Sequence, residues 1–346
     1  MVTKRVGRKM DQEKLSVSIV VPAYNVSVFI ERCVKSVMAQ TYPVRECIVV
    51  DDASLDESIA KCEELLGGYD GPIRFMILHH DHNRGLSAAR NTGTDAAEGN
   101  YIYYLDSDDE LTPDCIEKLA RPIESDSSIE MVVGNYQVLS KNPSMGSFNH
   151  EEEYTSSKAA REFFFDRAIL PVMAWNKLMS RKFLMDHGLL FMEGVLYEDN
   201  LWTFYVVKHL QHLFIIPDIT YYHYKRPLSI TTGTNKKDEA YHYSIIYEDI
   251  ARHFTPGEED REAKYYLGSY FSFFIRNRGI ESFKRALPLF EKALAGDEYR
   301  KEHLRLWVLK LSSKSAFMHG IFTILLIIRR VILYPFRRIA SLWKKN

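Results

Sequence analysis

The sequence predicts an α/β protein: a mostly parallel sheet with helices on its faces, followed by a C-terminal helical extension. Three observations carry this expectation. From residue 17 to residue 113, short β-branched runs alternate with segments whose apolar residues recur at helical spacing, the order that gives parallel strands joined by crossover helices. Each of the first four runs ends in polar residues, PAYN, DDAS, HHDHNRG and DSDD in turn, and parallel sheets bind ligands at the carboxyl ends of their strands. The chain has 346 residues, 46% of them hydrophobic and 13% aromatic, which supplies a sizeable core and excludes a globally disordered chain.

The elements follow in order. VSIVVPAYN (17–25) has the pattern of a buried strand, stopped by Pro22, and VFIERCVKSVMAQ (28–40) has that of an amphipathic helix. ECIVVDDAS (46–54) is a second strand ending in acids. SLDE (54–57) fits a capping box, with Ser54 as N-cap and Glu57 three residues on, opening a helix to about Leu66. IRFMILHH (73–80) is the third strand, GLSAARNTGTDAAEG (85–99) a helix of small residues, and NYIYYLD (100–106) the fourth strand. Thr112 and Pro113 suit N-cap and N1 of the next helix.

Composition removes several functional classes. A net charge of −1 gives no general attraction to nucleic acid. The four cysteines, Cys33, Cys47, Cys62 and Cys115, form no CxxC pair and stand beside no metal-spaced histidine; they read as small buried thiols in a reducing compartment. MVTKRVGRKMDQEKLS at the N-terminus is polar and basic, with no apolar core for a signal peptide or membrane span. A cytoplasmic protein is expected.

The acids Asp106, Asp108, Asp109 and Glu110 crowd the fourth strand's exit. Taken alone, an acid-x-acid triplet is also a solvated turn or a helix N-terminal charge. At the exit of a parallel sheet, Asp106 and Asp108 suit a hard cation such as Mg²⁺ or Mn²⁺, which shares its ligands with substrate phosphates. Asp109 and Glu110 read as the solvated kind. The chain has no GxxxxGK[ST] loop and no GxGxxG after a strand, which disfavours a P-loop NTPase or a dinucleotide dehydrogenase. His79, His80 and His82 resemble a metal cluster by composition, but their place in a loop favours solvation.

The stretch from Val17 to about Pro113, with VSIVVPAYN, ECIVVDDAS, NRGLSAARN and YLDSDDEL in that order, resembles the nucleotide-binding half of family 2 glycosyltransferases, which have the Rossmann-like GT-A fold. The resemblance implies that Pro22, Ala23 and Tyr24 line the nucleoside pocket. It implies that Asp52 accepts a hydrogen bond from a uracil-type N–H, and that Arg90 lies near the base and diphosphate. Asp106 and Asp108 become the DXD pair around a Mn²⁺ or Mg²⁺. WNKL and YEDNLW, within residues 174–210, are similar to the acceptor side of the family; there Asp199 is the implied catalytic base, with Glu198 beside it. By themselves the two acids equally suit the first turn of a helix, and Trp175 equally suits a core. YYHYKRPLSIT (221–231) resembles a late element that closes over the diphosphate, in which His223 completes the metal shell and Lys225 and Arg226 meet phosphate. On this reading residues 1–14 are a polar tail. Residues 15–232 are the GT-A domain, with a nucleotide half to about 135 and an acceptor half from about 136. Residues 233–314 are a helical extension.

Residues 315–346 carry six Lys or Arg and no acid. The apolar run Ile321–Ile328 is too short to span a bilayer. On a helical wheel Arg329, Arg330, Arg337, Arg338, Lys344 and Lys345 share one half, and Val331, Ile332, Phe336, Ile339, Leu342 and Trp343 most of the other, with a kink at Pro335. The pattern suits a helix lying on an anionic membrane surface; a protein interface, most simply a homo-oligomer, is the alternative. The expected protein is an inverting transferase on the inner face of the cell membrane. Its donor would be a nucleotide-diphosphate sugar, in the first place a UDP-sugar, and its acceptor a lipid-linked or cell-surface glycan. A nucleotidyltransferase would want a glycine- and lysine-rich loop that PAYNVSVF lacks, and a non-catalytic nucleotide-sugar-binding scaffold would not need Asp106, Asp108 and Asp199 together.

Overall fold

The computed structural model describes residues 15–140, 143–146, 148–166, 172–225, 236–253, 287–289 and 291–292. The expected polar tail, Arg226 and the basic segment 315–346 lie outside them. The chain divides into two compact units, one of Met1–Gly194 with Glu198–Pro227, the other of Val195–Tyr197 with Leu228–Asn346.

The first unit opens with β1 (Val17–Ala23), α1 (Ile30–Met38), β2 (Glu46–Asp51), α2 (Ser58–Gly67), β3 (Arg74–His79), α3 (Leu86–Ala96) and β4 (Tyr101–Tyr104). These strands lie side by side in the order β3-β2-β1-β4, all parallel, so the four polar exits share one edge. Val17, Ile19 and Val21 of β1 join Cys33, Val34 and Val37 of α1 in one core cluster, which is why α1 repeats its apolar residues at helical spacing. All four cysteines are free and buried.

The rest of the unit comprises β5 (Glu110–Leu111), α4 (Cys115–Ser125), β6 (Met131–Leu139), β7 (Ser144–Met145), β8 (Glu152–Tyr154), α5 (Ser157–Asp166), β9 (Lys177–Ser180), α6 (Arg181–Asp186), α7 (Glu198–His209) and β10 (Leu213–Tyr224). Beyond β4 the sheet continues β9-β6-β10-β5. Strand β9 runs antiparallel to both β4 and β6, while β6 and β10 are parallel. The sheet as a whole is therefore mixed, and its parallel half is the one the sequence pattern exposes. In the second unit, α8 (Lys236–His253) is helical as expected. Its His242 Nδ1 accepts the Leu196 N–H at 3.2 Å, and its Tyr243 stacks on Tyr197 at 4.7 Å.

Three local expectations are corrected. Pro22 does not stop β1; it pairs in register with Val50. The even residues of β1 face β4, since Val20 O accepts Leu105 N at 3.0 Å, and β4 ends at Tyr104. Pro22 thus stands where no ladder partner needs its missing N–H. The capping box at Ser54 does not form, because α2 starts at Ser58 with Glu57 in the cap position. Ser54 Oγ accepts Asn25 N at 3.3 Å instead, and the Ser54 N–H bonds to Asp51, so Ser54 ties two strand exits together. Helix α4 starts at Cys115 with Asp114 as N-cap; Thr112 donates its hydroxyl to the Asp114 carboxylate at 2.9 Å.

Candidate functional site

At the β2 exit Asp52 is almost fully buried. Its Oδ1 accepts Arg84 N at 2.8 Å and faces His80 Nδ1 at 2.7 Å, and its Oδ2 accepts Gly85 N at 2.7 Å. The residue expected to meet a base therefore also fixes the loop that feeds α3, where Gly85 at φ 90 turns into the helix. His80 bridges Asp52 and Thr92 Oγ1, 2.9 Å away, with only 5% of its side chain exposed. That corrects the expectation of solvated loop histidines for His80, and His79 closes β3 beside Asp51 at 3.1 Å, while His82 is exposed in the loop. Pro22 and Ala23 are buried in β1 while Tyr24 is exposed beyond it.

Helix α3 delivers Arg90 to the centre of the unit. Its guanidinium is 1% exposed and forks between three acids. Nη2 donates to Asp106 Oδ1 at 2.9 Å, and Nη1 to Glu198 Oε1 at 2.7 Å and Asp199 Oδ1 at 3.0 Å. Asp106, Arg90, Glu198 and Asp199, singled out from three separate motifs, are thus one cluster.

Glu198 and Asp199 begin α7, where the helix dipole favours negative charge. Burial nevertheless pushes the Glu198 carboxyl up to about 7; the Asp199 charge beside it adds to the rise and Arg90 opposes it. Asp199 is also raised by burial, against the pull of Arg90. The Ala174 backbone N–H is turned toward the Asp199 carboxylate and favours the charged form. Raised carboxyl groups in a buried cluster are what a proton acceptor working near neutral pH requires.

At the β4 exit the four acids separate in role. Asp109, read from sequence as solvated, is fully buried. It accepts Tyr221 OH at 2.7 Å and Tyr224 N at 2.7 Å, and faces His223 Nδ1 at 3.0 Å; it pins β10 to the acid loop. Glu110 pairs with Arg32 of α1 at 2.6 Å. Arg32 also donates to Asp108 O at 2.6 Å and lies over the Tyr224 ring at 3.6 Å, holding the loop from its other side. One carboxylate oxygen from each of Asp106, Asp108 and Asp109 falls within a mutual 4.8 Å. Oxygens so close could hold a hard cation, although Asp109 also serves β10 and Asp106 also meets Arg90.

Trp175 is buried. It stacks on Tyr221 at 4.4 Å and on His223 at 5.5 Å, and so supports the histidine from below. His223 is raised despite its burial, because Asp109 bonds to its ring. Lys225 is exposed, with its backbone N–H on Leu139 O at 3.3 Å. Lys177 is fully buried at the start of β9, and its ammonium donates to the Met173 and Trp175 carbonyls. Burial lowers it to about 7, with Asp199 opposing and Arg90 assisting. Sequence reasoning did not weigh Lys177 and took Asp109 for a solvated acid, although a lysine opening the apolar strand KLMS was a visible signal.

Among the described residues the non-glycine positions at positive φ are Asn25, Ala53, Asn176 and Tyr197. Each sits in one of the quoted motifs, PAYN, DDAS, WNKL or YEDN. Backbone strain of this kind costs about 1–3 kcal/mol per residue and gathers where function constrains the chain.

Comparison with known proteins bears on the family and the fold. The profile of "Glycosyl transferase family 2" matches residues 18–188. Glycosyltransferase GlyA of Streptococcus pneumoniae is 31% identical over 187 residues, 54% of this chain and 25% of GlyA. The UDP-Glc:alpha-D-GlcNAc-diphosphoundecaprenol beta-1,3-glucosyltransferase WfgD of Escherichia coli is 32% identical over 142 residues, 41% of this chain and 54% of WfgD. The chain thus spans a quarter to about half the length of these relatives. Residues 1–349 of S. aureus TarS, solved in complex with UDP-GlcNAc, share the fold with a TM-score of 0.67 at 18% identity, over 86% of this chain and 88% of that one.

Proposed function

We propose, for a chain that belongs to glycosyl transferase family 2 through residues 18–188 and carries the GT-A fold, that it is an inverting glycosyltransferase. It moves a sugar from a nucleotide-diphosphate donor, a UDP-sugar, to a hydroxyl of a lipid-linked or cell-surface glycan. The observation that carries the reading is the Arg90 fork, which joins the DXD acid Asp106 to Glu198 and Asp199. Donor-side and acceptor-side acids then serve one reaction centre.

Asp199 takes the proton of the acceptor hydroxyl as its oxygen attacks the anomeric carbon in line. The bond from that carbon to the diphosphate oxygen breaks, and the configuration inverts. No second carboxylic acid is needed for the leaving group, unlike in a glycosidase. When bound, a Mn²⁺ or Mg²⁺ held by Asp106 and Asp108 neutralises charge on the departing diphosphate. His223 has Nδ1 turned to Asp109, the carboxylate–histidine pairing that orients metal-binding imidazoles, and would complete the metal's shell. Arg90 balances the acids until substrates arrive, and Asp52, with Pro22, Ala23 and Tyr24, receives the nucleoside. Lys225 and Arg226 meet the diphosphate.

The UDP-GlcNAc in the TarS complex and the diphosphoundecaprenol in the name of WfgD support a UDP-sugar and a lipid-linked acceptor. The basic tail, 315–346, would hold the enzyme on the inner face of the cell membrane; among the described residues no helix is long and apolar enough to cross one.

A donor panel scoring nucleoside diphosphate release tests the reading. Release should stop in EDTA and return with Mn²⁺ or Mg²⁺, and Asp108→Ala should lose Mn²⁺ binding by calorimetry while staying folded. Full turnover in chelator would overturn the DXD assignment.

A further inference from the structure

The loop between α5 and β9 ends in Val172–Asn176 and meets α7 at two points. Thr203 Oγ1 of α7 donates to Val172 O at 2.8 Å, and the Ala174 N–H is turned toward the Asp199 carboxylate. The loop must therefore keep its shape if that N–H is to stay aimed at Asp199. Asn176 turns the chain back at φ 61. Its side chain is held on three sides, donating to Gly134 O at 2.7 Å and Asn135 O at 2.9 Å and accepting Thr220 Oγ1 at 2.6 Å. Lys177 follows, and its buried ammonium reaches back to the carbonyls of Met173 and Trp175, the residues on either side of Ala174.

We propose that Lys177 is a positioning residue for the proton acceptor: by clamping the carbonyls that flank Ala174, it holds the N–H that faces the Asp199 carboxylate. Burying a lysine among backbone carbonyls is expensive, and a methionine would fill the same space more cheaply. The cost is intelligible when the ammonium sets the geometry of a reacting group, since displacing such a group by about 1 Å costs roughly 10²-fold in rate. This inference rests on the proposed glycosyl transfer for its kinetic consequence and on geometry alone for the clamp.

Lys177→Met tests it in the full chain. We expect kcat to fall roughly 10²-fold with the Kd for UDP in the absence of metal unchanged, because the ammonium bonds the Met173 and Trp175 carbonyls and no residue assigned to the nucleoside or diphosphate. In an Asp199→Asn background, Lys177→Met should cost nothing further, since residues acting as one unit are non-additive. Hydrogen exchange in the peptide 172–177 should rise in Lys177→Met whether or not the protein turns over donor. Unchanged exchange overturns the clamp, and so does an additional kcat loss in the double variant. A Lys177→Met protein that no longer folds or binds UDP would assign the lysine to stability and also overturn it. An Asp199→Asn enzyme that keeps its kcat is a different failure, that of the base assignment, and leaves the exchange result standing.

Discussion

Arg90 is one residue doing the electrostatic work of a whole site. A buried guanidinium can be kept only among acids, and three acids so close can be kept only around a cation, so each explains the other. The balance is incomplete, and Glu198 carries the excess: burial and the neighbouring Asp199 charge raise it from 4.5 to about 7. The sign of the stability effect follows by linkage. The folded state binds this proton more tightly than the unfolded chain, so Glu198 favours folding below about pH 4.5, and that contribution is lost as pH rises through about 7. Glu198→Gln keeps an oxygen to accept from Arg90 and removes the charge. Its melting temperature should exceed that of the wild type at about pH 8, with the gain shrinking toward acid and vanishing below about pH 4.5. Differential scanning fluorimetry across that range reads it directly. A loss at pH 8, or a pH-independent shift, would mean that Glu198 is held as a needed anion.

At the scale of elements, α3 decides where Arg90 points, and its seat on β1 is made by one glycine. A Cβ on Gly93 would lie 2.3 Å from Val20 Cγ1, and Val20 is fully buried, with no room to turn away. Two effects compete in Gly93→Ala. Helix propensity gains about 1 kcal/mol, while overpacking a rigid core costs about 1–3 kcal/mol. The clash should win, because the obstacle is a branched side chain on a central strand. Gly93→Ala should lower the melting temperature, and kcat should fall as well, since a lifted helix carries Arg90 away from Glu198 and Asp199. An unchanged melting point would mean that β1 yields more easily than its burial suggests. The same logic explains the strained joints: Asn25, Ala53, Asn176 and Tyr197 each redirect the chain where a strand or loop hands over to the site.

For the molecule as a whole, every proposed catalytic residue precedes residue 232 and the basic tail follows it, so catalysis and membrane binding should be separable. Each basic residue near an anionic leaflet contributes on the order of 1 kcal/mol, weakened by salt. Burial of Phe336, Ile339, Leu342 and Trp343 would add roughly 25 cal/mol per Å², which salt does not weaken. Full-length protein should co-sediment with anionic liposomes more than with neutral ones, high salt should release part of it, and removal of 315–346 should leave donor turnover intact. A full-length protein that ignores anionic liposomes would turn the tail's stripe into a protein interface. The sequence by itself determined the parallel half, its exit motifs, the buried thiols and the identity of the acids, because strand period, helix period and loop chemistry are local and survive in one dimension. Only the tertiary structure decided who meets whom. Arg90 finds Glu198 across 108 residues and Asp109 finds His223 across 114, through an antiparallel β9 and a parallel β6–β10 pair that no local pattern announces. Asp109 and Asp108 are neighbours of the same type, yet Asp109 is fully buried as an anchor for β10 while Asp108 is only partly covered. That assignment depends on which side of the loop is covered, and covering is a property of the packed sheet rather than of the residue.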